Sequence, residues 1–280
     1  MNLFARWTLT KTIILINCLI ALWSLHLGPT DPTNWIKLWL PLNLPELLAG
    51  KWWQVFTCSW VHADLIGFST LHLIFNMLSL AMLGKIVEDT LGRKHFCLIY
   101  FPAGLVAVLF YLVEIYIRAH FFNQAQSLQS SLVGASGCVM GLAVAFATMH
   151  PNRLIMIMPW PFPIRAITAI YLFCAVSLLF IFIPYFNFIA HSAHLGGAVW
   201  GFIYMRLIGW QSQPKVDPSS IPLVTDEDLI SEIAQVDTLS EKDVALEIPS
   251  IMRKLQQHGK ESLTLRDQAI LHKARLLSLI

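Results

Sequence analysis

Charged side chains are scarce in this sequence, since Asp, Glu, Lys and Arg make up only 13% of its 280 residues. A soluble domain has about 25%, so this shortage excludes an ordinary soluble protein. Basic and acidic residues nearly balance, at 19 and 17, which argues against a nucleic-acid binder. Apolar residues reach 56%, which excludes a disordered chain and indicates a membrane protein.

Cysteine is also sparse, and the five cysteines are scattered along the chain. No two of them stand in a CxxC pair, so we expect neither a disulfide framework nor a metal site. Four lie in apolar segments, where a thiol usually acts as a small apolar side chain. The five are Cys18, Cys58, Cys97, Cys138 and Cys174.

The few charges are distributed unevenly, and this predicts a domain boundary near residue 210. Residues 1–210 hold 11 of the basic and 6 of the acidic residues, while the rest of the chain holds 8 and 11. We therefore predict a membrane domain over 1–210, a Pro- and Ser-rich linker over 211–224, and a helical cytoplasmic extension over 225–280.

The extension contains two signals for the start of a helix, at Ser240 and Thr264. Helix pairs of this size rarely fold alone. We therefore expect the two helices to pack on each other, on the membrane surface or on a cytoplasmic partner. The alternative is a solubilising appendix with no partner.

Six segments without charged residues are long enough to cross a bilayer, which takes about 20 mostly apolar residues. The predicted fold class is therefore an all-α membrane protein with six transmembrane helices. The helices are expected at about residues 10–28, 67–84, 95–117, 132–149, 164–183 and 190–208.

Basic residues near the helix ends set the expected orientation. With the N-terminus in the cytoplasm, eight of them lie inside and three outside. The positive-inside rule therefore places both termini in the cytoplasm. The topology fits a plasma membrane, most simply the inner membrane of a bacterium.

The first outer loop, at about residues 29–64, is long for a simple connection. Tryptophan is typical of the headgroup level of a bilayer. We expect this loop to be an amphipathic insertion that lies partly in the outer leaflet, marked by Trp35, Trp39, Trp52, Trp53 and Trp60.

Polar side chains recur where the even-numbered helices begin. His72 and Asn76 stand one turn apart in helix 2, Ser136 opens helix 4, and His194 opens helix 6. Helices 2, 4 and 6 all start at the outer face, so these side chains share one depth. Polar groups at that depth are costly and usually face the bundle interior or a water-filled cavity.

This combination suggests acyl-transfer chemistry. Ser136 would be the nucleophile and His194 the general base. The developing oxyanion needs hydrogen-bond donors, which His72, Asn76 and the backbone N–H of Ser136 would supply. No motif places an acid beside them, so a Ser–His dyad is the simpler interpretation.

Two of these assignments have alternatives. His191 is an alternative general base, although it would lie one turn higher than His194. His72 and Asn76 have a structural alternative, in which they fasten a loop to helix 2 by hydrogen bonds. Glu88 is expected to be structural and to tie the end of helix 2 to a loop.

Glycines give a mechanical reason for contact between helices 4 and 6. Small residues four apart let helix backbones approach closely in a membrane. Helix 4 carries Gly137 and Gly141 in this spacing, and helix 6 carries Gly197 and Gly201. A hydrogen bond between Ser136 and His194 requires such an approach.

Together these motifs resemble the rhomboid family of intramembrane serine proteases, in its bacterial six-helix form with a C-terminal extension. The resemblance covers about residues 10–208. It rests on four motifs in the right order: His72-Leu73-Ile74-Phe75-Asn76, Gly84-x-x-x-Glu88-x-x-x-Gly92, Gly134-Ala135-Ser136-Gly137 and Ala193-His194-Leu195-Gly196-Gly197.

The resemblance implies a Ser136–His194 dyad with His72 and Asn76 lining the oxyanion hole. It implies single-span membrane proteins as substrates, cut near the outer end of their helix, and no metal, nucleotide or other cofactor. Two positions depart from the family pattern. Gln54 follows Trp53 where the family often has Arg, and Met140 stands where an aromatic residue often packs on the catalytic imidazole.

We expect Met140 to pack on that imidazole through its thioether, so the second departure alters the packing rather than the chemistry. Two other functions stay open. One is a catalytically silent rhomboid-like binder of membrane helices, although silent relatives usually lack the Ser or the His. The other is a small transporter, for which the sequence offers no repeat between its halves.

Overall fold

The computed structural model describes residues 7–28, 31, 33–62, 69–156, 162–181, 190–210, 227–259, 262–277 and 279–280. The described chain is almost entirely helical, apart from two short antiparallel pairs of strands. It forms two compact units, Met1–Gln211 and Ser212–Ile280.

The first unit contains the following helices: α1 (Leu9–His26), α2 (Trp35–Trp39), α3 (Leu44–Leu48), α4 (Gln54–Thr57), α5 (Ser69–Ser79), α6 (Lys85–Phe121), α7 (Ser136–Met149), α8 (Ala166–Ile181) and α9 (His191–Leu207). A π-helical segment, Leu80–Gly84, joins α5 to α6. Strand β1 (Leu42–Asn43) pairs with β2 (Ser131–Leu132), and β3 (Leu154–Ile155) pairs with β4 (Ile164–Arg165).

Two of the described helical stretches are long and apolar enough to cross a membrane, Leu9–His26 and Thr70–Phe121. The second bends at Gly92, whose φ of +83° and ψ of 166° are not helical. It therefore comprises two helices, where the sequence predicts helices 2 and 3. Helices α7 and α8 are apolar but shorter, and the count of six spans stays a prediction.

Several helix ends differ from the expected ones for local reasons. Helix α7 begins four residues later than expected, because strand β2 precedes it and Gly134 has a φ of +113°, which glycine adopts without strain. Strand β4 likewise takes up the first expected residues of helix 5. The expected division after helix 5, at Pro184 and Asn187, lies outside the described residues.

Helices α6, α7 and α9 meet along small residues at the centre of this unit. A Cβ atom on Gly197 would lie 2.0 Å from the carbonyl oxygen of Gly137, and one on Gly201 would lie 2.5 Å from that of Gly141. A Cβ atom on Gly196 would lie 2.6 Å from a carbonyl oxygen of α6. The two glycine faces named from the sequence are therefore in backbone contact.

Glu88 holds the N-terminus of α1. Its carboxylate accepts hydrogen bonds from the backbone N–H of Leu9 at 2.7 Å, and from the backbone N–H and hydroxyl of Thr10 at 2.8 and 2.7 Å. The first N–H groups of a helix have no acceptor within it, and a negative charge is favourable there. Glu88 is structural, but its partner is a helix end rather than the expected loop.

We predict that Glu88→Ala lowers the free energy of unfolding by about 2–4 kcal/mol, because it leaves buried N–H groups without an acceptor. Thermal unfolding of the purified protein in detergent measures the effect. Asp89→Ala is the matched control, since Asp89 is exposed and its ion pair with Lys85 lies on the surface, where such pairs contribute little. Equal melting temperatures for the two variants would contradict the assignment.

The second unit packs three helices, α10 (Glu227–Val236), α11 (Glu241–His258) and α12 (Leu265–Leu276). Ser240 and Thr264 cap the last two as predicted, each accepting a hydrogen bond from the backbone N–H of the aspartate three residues later. The sequence analysis missed α10. The C-terminal end of α10 is capped from α12. The Lys273 ammonium donates there to the carbonyls of Val236, Asp237 and Leu239.

Candidate active site

Ser136 and His194 form a hydrogen bond. Ser136 is the first residue of α7, and His194 lies in the first turn of α9. The distance from Nε2 of His194 to Oγ of Ser136 is 2.8 Å, within the range for a nucleophile and its general base. The two residues lie 58 positions apart in sequence and are brought together by the contact of α7 with α9.

The glycine contacts fix this distance. Gly137 follows Ser136 directly, and Gly197 lies one turn after His194. Their backbones touch, so the starts of α7 and α9 lie close together. The first N–H groups of α7 point out of the helix end without an intrahelical acceptor, beside the Ser136 hydroxyl. They carry the positive end of the helix dipole.

The imidazole of His72 lies against the backbone just before Ser136. A Cβ atom on Gly134 would be 2.6 Å from Cε1 and 2.8 Å from Nε2 of His72, so only glycine leaves room for the ring. The N–H of Gly134 donates to the carbonyl of Cys58 at 2.9 Å. The structure therefore brings His72 to the segment that carries Ser136.

Asn76 is buried and bonds to its own helix. Its Nδ2 donates to the carbonyl oxygen of His72 at 2.7 Å. An amide nitrogen carries two N–H groups, so one remains for another acceptor. The structural alternative predicted hydrogen bonds from both residues to a loop, whereas His72 contacts the loop and Asn76 bonds within α5.

His62 is a residue of the site that the sequence analysis did not assign. It is buried, and its ring centroid lies 5.3 Å from that of His72 in an edge-on arrangement. Burial and the nearby His72 lower the pKa of His62 to about 3, so its ring is neutral at neutral pH. The sequence signal that could have identified His62 is a histidine within a loop rich in tryptophan and leucine.

No carboxylate among the described residues completes a triad. Nδ1 of His194 has no hydrogen-bond partner in the described part of the chain. Glu114 pairs instead with Arg118, whose Nε lies 2.6 Å from Oε1 of the carboxylate. Asp64 lies outside the described residues.

The alternative base, His191, does not contact Ser136. Its ring centroid lies 6.3 Å from that of His194, and its two ring nitrogens have no partner among the described residues. The hydrogen bond to Ser136 comes from His194, one turn further along α9.

The expected contact of Met140 with the His194 imidazole stays a prediction. Met140 lies on α7, one turn after Ser136. It is buried in a cluster with Ala143, Val144 and Ala198, against Leu83, Ile170 and Cys174. The ring that packs on the His194 imidazole is Phe173 of α8, with centroids 5.4 Å apart and planes at 51°. Neither the resemblance nor the periodicity of α8 pointed to Phe173.

Gln54, the other departure from the family pattern, organises the described part of the loop between α1 and α5. It is fully buried. Its Oε1 accepts from the backbone N–H of Asn43 at 3.1 Å, and its Nε2 donates to Glu46 at 2.7 Å. Asn43 belongs to β1, which pairs with β2 just before Ser136. Gln54 thus fastens the loop that supports the segment carrying the serine.

The family model described as the Rhomboid domain matches residues 49–211, more than half of the chain. Curated relatives agree with this match. The chain is 26% identical over 201 residues to Rhomboid protease AarA of Providencia stuartii, which covers 69% of each protein. It is 29% identical over 200 residues to RHOMBOID-like protein 5 of Arabidopsis thaliana, covering 71% of this chain and 57% of that one.

A shorter match joins the chain to the Putative rhomboid protease YdcA of Bacillus subtilis, with 31% identity over 109 residues. This alignment covers 38% of the chain and 46% of the relative. The chain therefore spans about half to two thirds of the length of these relatives.

Proposed function

Because the chain belongs to the rhomboid family, and is thus a multi-pass membrane protein, we propose that it is an intramembrane serine endopeptidase. Its substrates are single-span membrane proteins, cut near the outer end of their transmembrane helix. The observation that carries the proposal is the 2.8 Å hydrogen bond between His194 Nε2 and Ser136 Oγ. A binder of membrane helices has no need of it.

In the first step, Ser136 Oγ attacks the carbonyl carbon of the scissile bond while its proton passes to Nε2 of His194. The carbonyl oxygen becomes an oxyanion. Its donors are the backbone N–H of Ser136, the imidazole of His72 and the second N–H of Asn76. The backbone N–H belongs to the start of α7, and the two side chains belong to α5, whose His72 ring lies against Gly134 just before the serine.

In the second step, the C–N bond breaks and the leaving amine takes the proton from His194. The acyl group remains on Ser136 as an ester. Water then attacks the ester carbonyl and gives its proton to Nε2 of His194, and the proton returns to Ser136 Oγ as the acid product leaves. The dyad performs both halves of the reaction without a cofactor.

Orientation decides where the substrate is cut. We place both termini in the cytoplasm on the positive-inside rule, so the starts of α5, α7 and α9 face outward. The dyad then lies below the outer surface of the plasma membrane. A substrate helix is cut in its outer part, with its end unwound to expose a peptide bond.

The proposal predicts that the protein in proteoliposomes reacts with a fluorophosphonate and cleaves single-span reporters. In the labelling reaction, Ser136 Oγ forms a bond to phosphorus and fluoride leaves. Labelling at Ser136 with cleavage in the outer part of a reporter helix is the expected result. A folded protein that binds the reporters without labelling or cleavage is the silent binder, and the protease assignment is then wrong.

A further inference from the structure

Two phenylalanine side chains of α8 pack on the two histidines in the first turn of α9. Phe173 packs on His194 with ring centroids 5.4 Å apart, and Phe180 packs edge-on against His191 at 5.2 Å. Aromatic pairs at these separations have preferred geometries and contribute beyond their buried area. The orientation of the His194 ring is therefore linked to the position of α8.

The His194 ring lacks the second hydrogen bond that usually orients a general base. Its Nε2 bonds to Ser136, but Nδ1 has no partner among the described residues. A base is commonly oriented by a third group, and the ring torsion of histidine has a broad energy minimum. Packing against a neighbouring ring is what restrains this imidazole.

Phe173 is not a typical core residue. Its side chain is 39% exposed, and its neighbours Tyr171 and Leu172 are 68% and 57% exposed. Burial in the core therefore does not account for its place. What its ring covers is the imidazole of His194.

We propose that Phe173 is a positioning residue for His194, a role that rests on the proposed protease function. The ring holds the imidazole in the plane that directs Nε2 at Ser136. The base is therefore aligned when α8 packs on α9 and loses its support when α8 moves away. An aromatic ring at position 140 would fix the base from α7 instead, independently of α8.

The first test compares Phe173→Ala with Tyr171→Ala, a matched truncation of an exposed aromatic residue on the same helix. We expect Phe173→Ala to slow fluorophosphonate labelling and lower kcat by roughly 10- to 100-fold, as a small misplacement of a catalytic group does. KM and the melting temperature should change little, since substrate contacts and the core are intact. Tyr171→Ala should label at the wild-type rate.

Rescue supplies the readout that a merely structural role would not give. Phe173→Leu keeps the volume without the ring and should stay slow. Adding Met140→Phe to Phe173→Ala should recover most of the labelling rate, because the new ring can pack on His194 from α7. Failure of this rescue, or an equal loss in Tyr171→Ala, overturns the proposal.

Histidine NMR separates this proposal from the protease assignment. In protein with ¹⁵N-labelled histidine, the His194 ring signals are identified by their loss in His194→Ala. We expect the His194 ring to show one tautomer in the wild type and an average of its two tautomers in Phe173→Ala. Identical spectra overturn the positioning role. A wild type that neither labels nor cleaves but shows this difference refutes the protease, while the effect of Phe173 on the orientation of the His194 ring is still established.

Discussion

Ser136→Ala is expected to reduce cleavage of a reporter helix to the uncatalysed background. Removing the nucleophile of a serine protease costs on the order of 10⁴- to 10⁶-fold in kcat, because the remaining groups cannot form the acyl intermediate. Fluorophosphonate labelling should disappear with it. The fold should remain, since the hydroxyl makes a single hydrogen bond, to His194.

His194→Ala should be nearly as damaging, and the double variant should be no worse than either single one, because the two residues act as a unit. Ser177→Ala is the matched control. Ser177 is a buried serine on α8 with no part in the proposed chemistry, and it should leave cleavage unchanged. Additive losses, or cleavage that survives in Ser136→Ala, would remove the dyad from the mechanism.

Gly197→Ala should have the largest effect on stability. The added Cβ would lie 2.0 Å from the carbonyl oxygen of Gly137 and 2.8 Å from its carbonyl carbon. No rotamer relieves this overlap, because the backbone fixes the position of Cβ. The helices must separate, at a cost of about 3 kcal/mol or more in the free energy of unfolding.

The same separation pulls His194 away from Ser136, so labelling should fall even in the fraction that folds. Unfolding in detergent and labelling of the folded fraction measure the two effects. Val199→Leu is the control, because Val199 lies on the exposed side of α9 and accepts a larger side chain. A Gly197→Ala protein as stable as Val199→Leu would show that α7 and α9 do not touch as described.

Ser136 and His194 were selected from the sequence by a topological argument about their depth. In the orientation predicted from the positive-inside rule, both open helices that start at the outer face, so alternation of the helices would bring them to one level. The structure joins them by a hydrogen bond. The glycine spacing then identifies which faces touch.

What the sequence did not reveal depends on how helices rotate and tilt against one another. Phe173 of α8 contacts His194 of α9. No spacing within α8 distinguishes Phe173 from its exposed neighbours. Glu88 was recognised as structural, but its partner at the start of α1 is 79 residues away. The late start of α7 follows from a strand pair with a distant loop, which residues 132–135 alone do not encode.

The anchoring of α1 by Glu88 has a consequence for the biogenesis of the protein. A chain made from its N-terminus delivers α1 to the membrane well before Glu88 is synthesised. The backbone N–H groups of Leu9 and Thr10 must therefore stay with water or lipid headgroups until the second span arrives. Helix α1 therefore completes the hydrogen bonding of its N-terminus only after the start of α6, which carries Glu88, has packed against it.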